Sequence, residues 1–302
     1  MKALLEFENI TFTYERNGKA VLQNFSMKIP VGKKCAILGR NGSGKSTILS
    51  IANGLLRPNE GKLFWKGEEL SFKKKRLIEF RQKTGLVFQN AEEMLLSPTV
   101  YEDIAYGLLN AGYKGDLLEK RLMETIKRYA LNDLQDRPIH HLSLGEKRRV
   151  ALAGVMVLEP ELLLLDEPTS FLDPVQTENL VNELNKIHEQ GTTVVMATHD
   201  LNLAYEWADL FYVIDYGQLV FEGEPDKFFS NESFVLEKGL IVPLLFQMKQ
   251  LLKIQSASKE EMVAKIKEMV GQRRNTIGGE IDHNRIWTRK CKTFYRTGEG
   301  SN

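Results

Sequence analysis

The chain has 302 residues, in which 41 lysines and arginines nearly balance 40 aspartates and glutamates. The net charge of +1 argues against a dedicated nucleic-acid binder, and 42% apolar with 27% charged residues excludes a disordered or fibrous chain. The two cysteines, Cys35 and Cys291, exclude a disulfide framework and fit no zinc motif. The first twelve residues lack the apolar core of a secretory signal, and no apolar stretch reaches the roughly 20 residues of a membrane-spanning helix.

The pattern of apolar residues predicts strands that alternate with helices. The predicted strands, in chain order, are Leu4–Phe12, Ser26–Ile29, Cys35–Leu38, Leu162–Leu165 and Thr193–Thr198. A helix is predicted over Ser46–Leu56, residues 57–88 are predicted to form short strands around Gly61 and Gly67, and residues 91–140 to be mostly helical. We expect the basic run Lys73–Arg76 to be a solvated loop. Strands alternating with helices predict a parallel sheet with helices on its faces.

The pattern changes after about residue 225. Residues 226–270 are predicted to be helical. Residues 271–302 have few apolar positions and carry seven basic against three acidic residues, so we expect this tail to be poorly ordered. The sequence therefore predicts a main domain over 1–225, a helical extension over 226–270 and a basic tail over 271–302.

A glycine-rich motif directly follows the strand Cys35–Leu38. It reads Gly39, Arg40, Asn41, Gly42, Ser43, Gly44, Lys45 and Ser46, which fits G-x-x-x-x-G-K-[ST] between a strand and a helix. In such a loop the main-chain N–H groups and the following helix N-terminus face phosphate oxygens. We expect Lys45 to reach the β- and γ-phosphates and Ser46 to bind Mg²⁺, and we extend the nucleotide-binding set to Thr47. The alternative is a glycine-rich turn without a ligand.

A second candidate site follows the run of four leucines at Leu162–Leu165. Such a run is typical of a strand buried on both faces, and it ends in Asp166 and Glu167. Open α/β sheets bind ligands at the carboxyl ends of their strands. We therefore expect Asp166 to hold Mg²⁺ and Glu167 to act as a general base on the attacking water. The alternative is a solvated acidic turn before Pro168.

The glycine-rich motif, the acidic end of the leucine strand and several further motifs occur in the order typical of the nucleotide-binding subunits of ABC transporters. The chain resembles these subunits over roughly residues 4–225. The further motifs are Tyr14 at the position that stacks on adenine, Gln89 at the position that senses Mg²⁺ and nucleotide, Leu142-Ser143-Leu144-Gly145-Glu146 at the LSGGQ signature, Ser170–Asp173 in the loop after the acidic strand, and His199 at the switch histidine. The resemblance implies an α/β P-loop NTPase fold with a mostly parallel central sheet, an antiparallel β subdomain, a helical signature subdomain and a small helical C-terminal extension. It also implies an ATP hydrolase that uses ATP and Mg²⁺.

The resemblance implies that two such domains face each other head to tail. Ser143 and Gly145 of one domain, at the start of a helix over Glu146–Leu158, would close over ATP held by the other. His199 would hold the γ-phosphate and the water, and Asp173 would link the two sites. The implied catalytic residues are thus Glu167, His199, Gln89 and Asp173, and the implied Mg²⁺ ligands are Ser46, Gln89 and Asp166.

Three residues depart from the family pattern. Leu144 replaces a glycine and Glu146 a glutamine of LSGGQ, and Phe171 stands where a small residue is commoner. We expect the Glu146 side chain to point toward the helix N-terminus and away from the phosphates, because a carboxylate is stabilised there.

Within this family the chain resembles the energy-coupling-factor branch. The segments that carry this resemblance are Lys66–Gly67, Lys73–Leu77, Gly85–Asn90, Leu96–Val100, Asp103–Gly107 and Lys147–Gly154. The branch implies three partners: a second ATPase subunit, the same or different, an integral membrane coupling subunit, and a substrate-binding membrane subunit. The branch also implies a location on the cytoplasmic face of the cell membrane. Glu92 and Glu93 occupy positions where arginines of the coupling subunit would dock; the equally weighted alternative is that both glutamates simply face water.

The first expectation for the cargo is cobalt or nickel, by resemblance to the single-ATPase metal importers, and the alternative is a vitamin or other small molecule. Two other classes of function remain as competitors. A soluble ABC-type ATPase of translation or DNA maintenance is disfavoured because there is one phosphate loop and no coiled-coil insertion. A nucleotide-binding module without turnover is disfavoured by Glu167.

Overall fold

The structure is a computed structural model that describes residues 2–15, 18–253 and 264–267. In chain order the strands are β1 Ala3–Phe12, β2 Leu22–Pro30, β3 Lys34–Leu38, β4 Glu60–Trp65, β5 Glu68–Glu69, β6 Thr84–Val87, β7 Leu162–Asp166, β8 Thr193–Ala197, β9 Leu210–Asp215 and β10 Gln218–Gly223. The α-helices are α1 Lys45–Ala52, α2 Lys74–Lys83, α3 Val100–Asn110, α4 Gly115–Arg128, α5 Leu144–Met156, α6 Pro174–Glu189, α7 Leu201–Trp207, α8 Pro225–Phe229, α9 Glu232–Glu237 and α10 Leu244–Leu252.

The central sheet has six strands in the order β10-β9-β3-β8-β7-β6. Neighbours from β9 to β6 run parallel, and β10 pairs antiparallel with β9. In β7, Leu163 and Leu165 belong to one hydrophobic core, and Leu162 and Leu164 belong to the other. Both faces of this strand are therefore buried, as its four leucines predict.

A second, antiparallel sheet has the order β2-β1-β4-β5. Its buried residues, such as Phe7 and Phe25, share one core with Ile37 of the central sheet and Ile48 of α1. The other core lies among helices α3 to α6 and the opposite face of the central sheet. The predicted fold class, a mostly parallel sheet with an antiparallel β part and a helical part, is confirmed.

Several element boundaries differ from the prediction. Residues 57–88 contain the helix α2 in addition to short strands, so the prediction of strands alone was wrong there, and Lys73–Arg76 leads into this helix instead of forming a loop. The helix was missed because it is polar and buries a single residue, Phe80, so it shows little apolar periodicity. Helix α1 ends at Ala52, before Gly54 with its φ of +74°.

The residues after 225 form α8, α9 and α10. Phe228 and Phe229 are buried against Phe211 of the central sheet, and Phe246 of α10 contacts Tyr205 and Phe229. Residues up to Met248 form one compact unit, and the described residues beyond it belong to a second unit. The domain boundary at residue 225 stays a prediction, and the predicted tail over 271–302 lies outside the described residues. Among the described helices, none is long and apolar enough to cross a bilayer.

Candidate nucleotide-binding site

The order of strands brings three loops of the sequence to one place. Strand β8 lies between β3 and β7, and all three run parallel. Their carboxyl ends therefore meet at one edge of the sheet, where open α/β sheets bind ligands. The glycine loop follows β3, Asp166 and Glu167 end β7, and His199 follows β8.

The backbone of the glycine loop requires glycine at its two ends. Gly39 has φ +154°, and a Cβ there would lie 2.3 Å from the main-chain oxygen of Ile214. Gly44 has φ +107° and precedes α1 directly, so the N-terminus of this helix opens on the loop. The Ser43 hydroxyl is buried and has no hydrogen-bond partner in the described part of the chain. A donor left unpaired inside a loop of main-chain N–H groups fits a site for an anion.

Lys45 lies inside this loop and is almost fully buried. Its Nζ donates to the main-chain oxygens of Gly39 at 2.8 Å and Arg40 at 3.3 Å, and it lies 3.9 Å from Oε1 of Glu167. Burial lowers the pKa of this amine, while the carboxylates of Glu167 and Asp166 oppose the shift. The ammonium is thus held by carbonyl oxygens in the free protein and is placed to exchange them for phosphate oxygens.

The Asp166 carboxylate is the group in this cluster that best fits a metal. Its Oδ1 is buried and unpaired among the described residues. Burial raises the pKa of this carboxyl, and a hydrogen bond from Ser46 and the charge of Lys45 oppose the rise. A carboxylate oxygen without a partner beside a serine hydroxyl matches the oxygen ligands that Mg²⁺ prefers.

Glu167 is held toward the same centre by the backbone and by His199. It has a φ of +44°, and its N–H donates to the Ala197 carbonyl oxygen at 2.9 Å. Its Oε2 lies 2.7 Å from Nδ1 of His199. A non-glycine residue in the left-handed region is uncommon and clusters at functional sites. The carboxylate therefore stands between the loop lysine and an imidazole that is open to solvent.

Two further predicted residues lie beside the loop. The hydroxyls of Tyr14 and Thr47 are 3.0 Å apart, which places the tyrosine next to α1. The Tyr14 ring packs edge to face against Phe12 and is largely exposed, so one face is open to a flat ligand.

Gln89 lies just after β6, the strand next to β7, and its exposed side chain makes no hydrogen bond with any described residue. Gln89 therefore lies at the same edge of the sheet as Lys45, Asp166 and Glu167, but its side chain forms no hydrogen bond with them. Its neighbour Glu92 forms an ion pair with Lys147 of α5, and Glu93 accepts a hydrogen bond from Asn90.

The signature residues lie at the N-terminus of α5, which begins at Leu144 instead of Glu146. Ser143 is the N-cap, and the Glu146 carboxylate accepts from its main-chain N–H at 2.7 Å and its hydroxyl at 2.8 Å. These bonds lower the pKa of Glu146. The expectation that Glu146 turns toward the helix N-terminus is met by this capping box. Gly145 lies beside the side chain of Gln176 in α6. Among the described residues of one chain, neither Ser143 nor Gly145 forms a hydrogen bond with the glycine loop.

Sequence reasoning missed a buried residue that joins the signature helix to the loop after the acidic strand. The Arg148 guanidinium donates to the carbonyl oxygens of Pro168, at 2.7 Å, and Ser170. Its position four residues before the buried Leu152 is the signal that could have found it, because both lie on one face of the helix. Asp173, predicted to link two sites, caps α6 by accepting from the Gln176 N–H at 2.8 Å.

Known proteins resemble this chain in both sequence and fold. The family model described as ABC transporter matches residues 22–170. An ABC transporter ATP-binding protein of Nostoc sp. is 47% identical over 247 residues, which cover 82% of this chain and 90% of the relative. The chain belongs to the ABC transporter ATP-binding proteins.

Other similarities place it within that family. The energy-coupling factor transporter ATP-binding protein EcfA of Methanocaldococcus jannaschii is 38% identical over 249 residues, covering 82% of this chain and 89% of the relative. The solved structure of CbiO1 from Clostridium perfringens, described as part of the ABC transporter complex CbiONQ, superposes with a TM-score of 0.70 at 33% identity and covers 83% of this chain and all of that one. The chain is an ATP-binding protein of the energy-coupling-factor branch, and it hydrolyses ATP to power transport.

Proposed function

We propose that the chain is the ATP-hydrolysing motor subunit of a cobalt or nickel importer, bound to the cytoplasmic face of the cell membrane. The observation that carries the motor function is the convergence of Lys45, Asp166 and Glu167 at the carboxyl ends of β3 and β7. The metal cargo is supported by the similarity to CbiO1 of the CbiONQ complex.

In this proposal the glycine loop and Lys45 bind the phosphates of ATP, and Tyr14 stacks on the adenine. Ser46, Asp166 and Gln89 would hold Mg²⁺, which when bound neutralises charge on the β- and γ-phosphates. Glu167 accepts the proton of the attacking water. The Nδ1 atom of His199 lies 2.7 Å from the Glu167 carboxylate, and His199 positions this carboxylate relative to the γ-phosphate.

Two such sites would form between two ATPase subunits that face each other head to tail. Ser143 and Gly145 of one subunit cover the γ-phosphate bound by the other, and Asp173 connects the sites. The γ-phosphate then provides the contact that closes the pair, and its loss opens it. Opening and closing drive the membrane coupling subunit, and a further membrane subunit selects the cargo.

The test of the motor function is the ATPase rate of Glu167→Gln in the full-length protein with Mg²⁺. We expect turnover to fall at least about 100-fold because a general base contributes 10²–10⁴-fold, while ATP binding and ATP-dependent dimers remain. The matched control is Glu161→Gln. Glu161 directly precedes β7, the strand that leads to Glu167, and it forms an ion pair with Lys66 on the surface. A Glu167→Gln rate within about twofold of this control would show that Glu167 is not the base.

The test of the cargo is uptake by vesicles that contain the chain with the membrane subunits encoded beside its gene. We expect ATP-dependent uptake of labelled Co²⁺ or Ni²⁺ that Glu167→Gln abolishes. Uptake of a vitamin with no metal uptake would overturn the metal assignment and leave the motor function intact.

A further inference from the structure

Positive charge is concentrated in residues 57–83, on and beside helix α2. This stretch contains nine lysines and arginines against four glutamates, while the whole chain has a net charge of only +1. Six of the nine cations lie within the eleven residues Lys73–Lys83. We call this stretch the basic patch. Neither the hydrophobic cores nor the nucleotide site uses its charges.

Helix α2 is attached to the rest of the protein by one face. Its single buried residue, Phe80, packs edge to face against Trp65 with 5.3 Å between the ring centroids. The Arg81 guanidinium donates to the Gly54 carbonyl oxygen at 2.7 Å, which ties the same side of the helix to the turn after α1. The other face of α2 is therefore left to solvent.

The exposed face of α2 combines lysines with an apolar side chain. Lys74, Lys75 and Ile78 lie on one face, because residues three or four apart in a helix are neighbours. Ile78 is 45% exposed. The side chains of Lys74 and Lys75 form no ion pair or hydrogen bond with any residue that the structure describes. Lysines around an exposed apolar residue are typical of a helix that lies on an anionic membrane surface.

A concave groove opens beside the start of α2. It is a cavity of about 440 Å³ lined by residues 57–59, by strands β4 and β5, and by residues 70–73. Its charged residues are Arg57, Lys62, Lys73 and one carboxylate, Glu69. Glu69 is already paired with Lys62 at 2.7 Å, and no described carboxylate pairs with Arg57 or Lys73. The groove therefore offers two unpaired cations to a phosphate group in a volume typical of small-ligand sites.

The acidic residues around the basic patch do not neutralise it. With all four of its own glutamates ionised, the patch keeps an excess of five positive charges. Two carboxylates outside the stretch come near: Glu161 pairs with Lys66, and Glu8 lies opposite Lys62 in the register of β1 and β4. Neither pairs with Lys73–Lys75.

Two observations favour a membrane over a nucleic acid as the partner. The rest of the chain has a net charge of −4, because the whole chain has +1, so the positive surface does not continue along a nucleic-acid backbone. Burial of Ile78 is favourable at a bilayer surface and gains nothing from a phosphate backbone. In addition, α2 leads into the edge strand β6, which is followed by Glu92 and Glu93, the predicted contact with the membrane coupling subunit.

We propose that the basic patch binds anionic phospholipid headgroups of the membrane. The groove lined by Arg57, Lys62 and Lys73 takes a lipid phosphate, and α2 lies on the bilayer surface with Ile78 among the headgroups. The inference rests on the proposed function, because a motor subunit on the cytoplasmic face has anionic lipid within reach. It adds a direct contact with lipid to the proposed contacts with membrane subunits.

The test is flotation of the full-length protein with vesicles of phosphatidylcholine, either alone or mixed with about one-third phosphatidylglycerol. We expect binding to the anionic vesicles, weakened by salt, and little binding to the neutral ones. Lys73→Gln, Lys74→Gln and Lys75→Gln together should weaken binding about 100-fold, at roughly fivefold for each lysine. Their melting temperature should equal that of the wild type, because all three side chains are exposed.

The charge-matched control is a second triple variant, Lys114→Gln, Lys120→Gln and Lys127→Gln. These lysines at α4 are exposed and have no ion pair with a described residue. Helix α4 packs on the core at the opposite face of the central sheet from Phe80. We therefore expect the control to bind anionic vesicles within about threefold of the wild type, since screening limits the reach of exposed charges. Every variant keeps residues 271–302, so the basic tail contributes equally to each.

A further variant, Ile78→Ser, distinguishes a bilayer from a dissolved anion. It should weaken vesicle binding roughly fivefold, because part of an isoleucine side chain no longer leaves water. Displacement of the protein from vesicles by poly(U) RNA, together with unchanged vesicle binding of Ile78→Ser, would assign the patch to a nucleic acid. Displacement by soluble glycerol phosphate at the concentration of the lipid phosphate would assign the groove to a free phosphate. Either result overturns the lipid contact.

The vesicle assay also separates this inference from the proposed function. Equal binding of the two triple variants, or equal binding of the wild type to neutral and anionic vesicles, would overturn the lipid contact. The assay contains no membrane subunit and no nucleotide, so such a result leaves the motor function intact. Conversely, normal ATP hydrolysis by Glu167→Gln would overturn the assigned base and leave the vesicle result unchanged.

Discussion

Arg148 is expected to be a main determinant of the stability of the signature region. The residue is 9% exposed, and its guanidinium donates to the carbonyl oxygens of Pro168 and Ser170, which belong to the loop after β7. No described carboxylate pairs with it, and burial lowers the pKa of the guanidinium. The charge is therefore held by main-chain oxygens alone, and its removal leaves the buried Pro168 carbonyl group and the partly buried Ser170 carbonyl group without this donor.

The perturbation that isolates these bonds is Arg148→Met, because methionine keeps an unbranched apolar stem. Two hydrogen bonds from a charged donor contribute about 1.5–3 kcal/mol each, or roughly 3–6 kcal/mol in total. Relief of burying an unpaired charge offsets part of this, so we expect a net loss of about 2–4 kcal/mol. For a domain of this size, that corresponds to a melting temperature roughly 5–15 °C lower.

The assay is thermal unfolding followed by circular dichroism without nucleotide. The control is Arg149→Met, since the neighbouring Arg149 is exposed and makes one long bond of 3.4 Å to the Ala130 oxygen. A surface substitution of this kind changes stability by at most about 0.5 kcal/mol. Equal melting temperatures for the two variants would show that the hydrogen bonds of Arg148 to the loop after β7 do not stabilise the fold.

Three further predictions test the glycine loop, a hairpin and the signature cap. Saturating ATP should stabilise the wild type by about 2.7 kcal/mol at 100 times its Kd, and Lys45→Ala should abolish this shift in a thermal melt. Gly217→Ala should lose about 3 kcal/mol more than Gly191→Ala in urea unfolding, because both have positive φ but only at Gly217 would a Cβ lie 1.9 Å from a main-chain oxygen. The hydrogen bonds from Ser143 lower the pKa of Glu146 from 4.5, so its charge stabilises the fold above that pH, and the stability difference from Glu146→Gln should vanish as acid titrates the carboxylate. A difference that persists in acid would contradict this account.

Local motifs were readable from the sequence because their signals are local. The glycine loop requires its residue types within eight positions, and Gly39 and Gly44 indeed take backbone conformations that favour glycine. The four leucines before Asp166 predict a strand buried on both faces, and the two cores divide them as expected. The orientation of Glu146 was predicted because a carboxylate is stabilised at a helix N-terminus, and in the structure it takes the form of a capping box with Ser143.

Two other features could not be predicted from the sequence. Helix α2 has one buried residue, so its apolar pattern could not distinguish it from the strands around it. The pairing of Glu92 with Lys147 joins residues 55 positions apart, and nothing in either segment predicts the other as its partner.

The chemical groups of the site and the short elements that carry them could therefore be predicted from the sequence. Their position next to one another depends on the fold. Strand β8 lies between β3 and β7, although it follows both in the chain, and this order places His199 against Glu167 and Glu167 against Lys45. Strand order is set by how the two faces of the whole sheet are buried, a sum over residues far apart in sequence. For the same reason the cavity beside Arg40 could not be predicted, because it is lined jointly by the glycine loop and by residues 239–244, about 200 positions later in the chain.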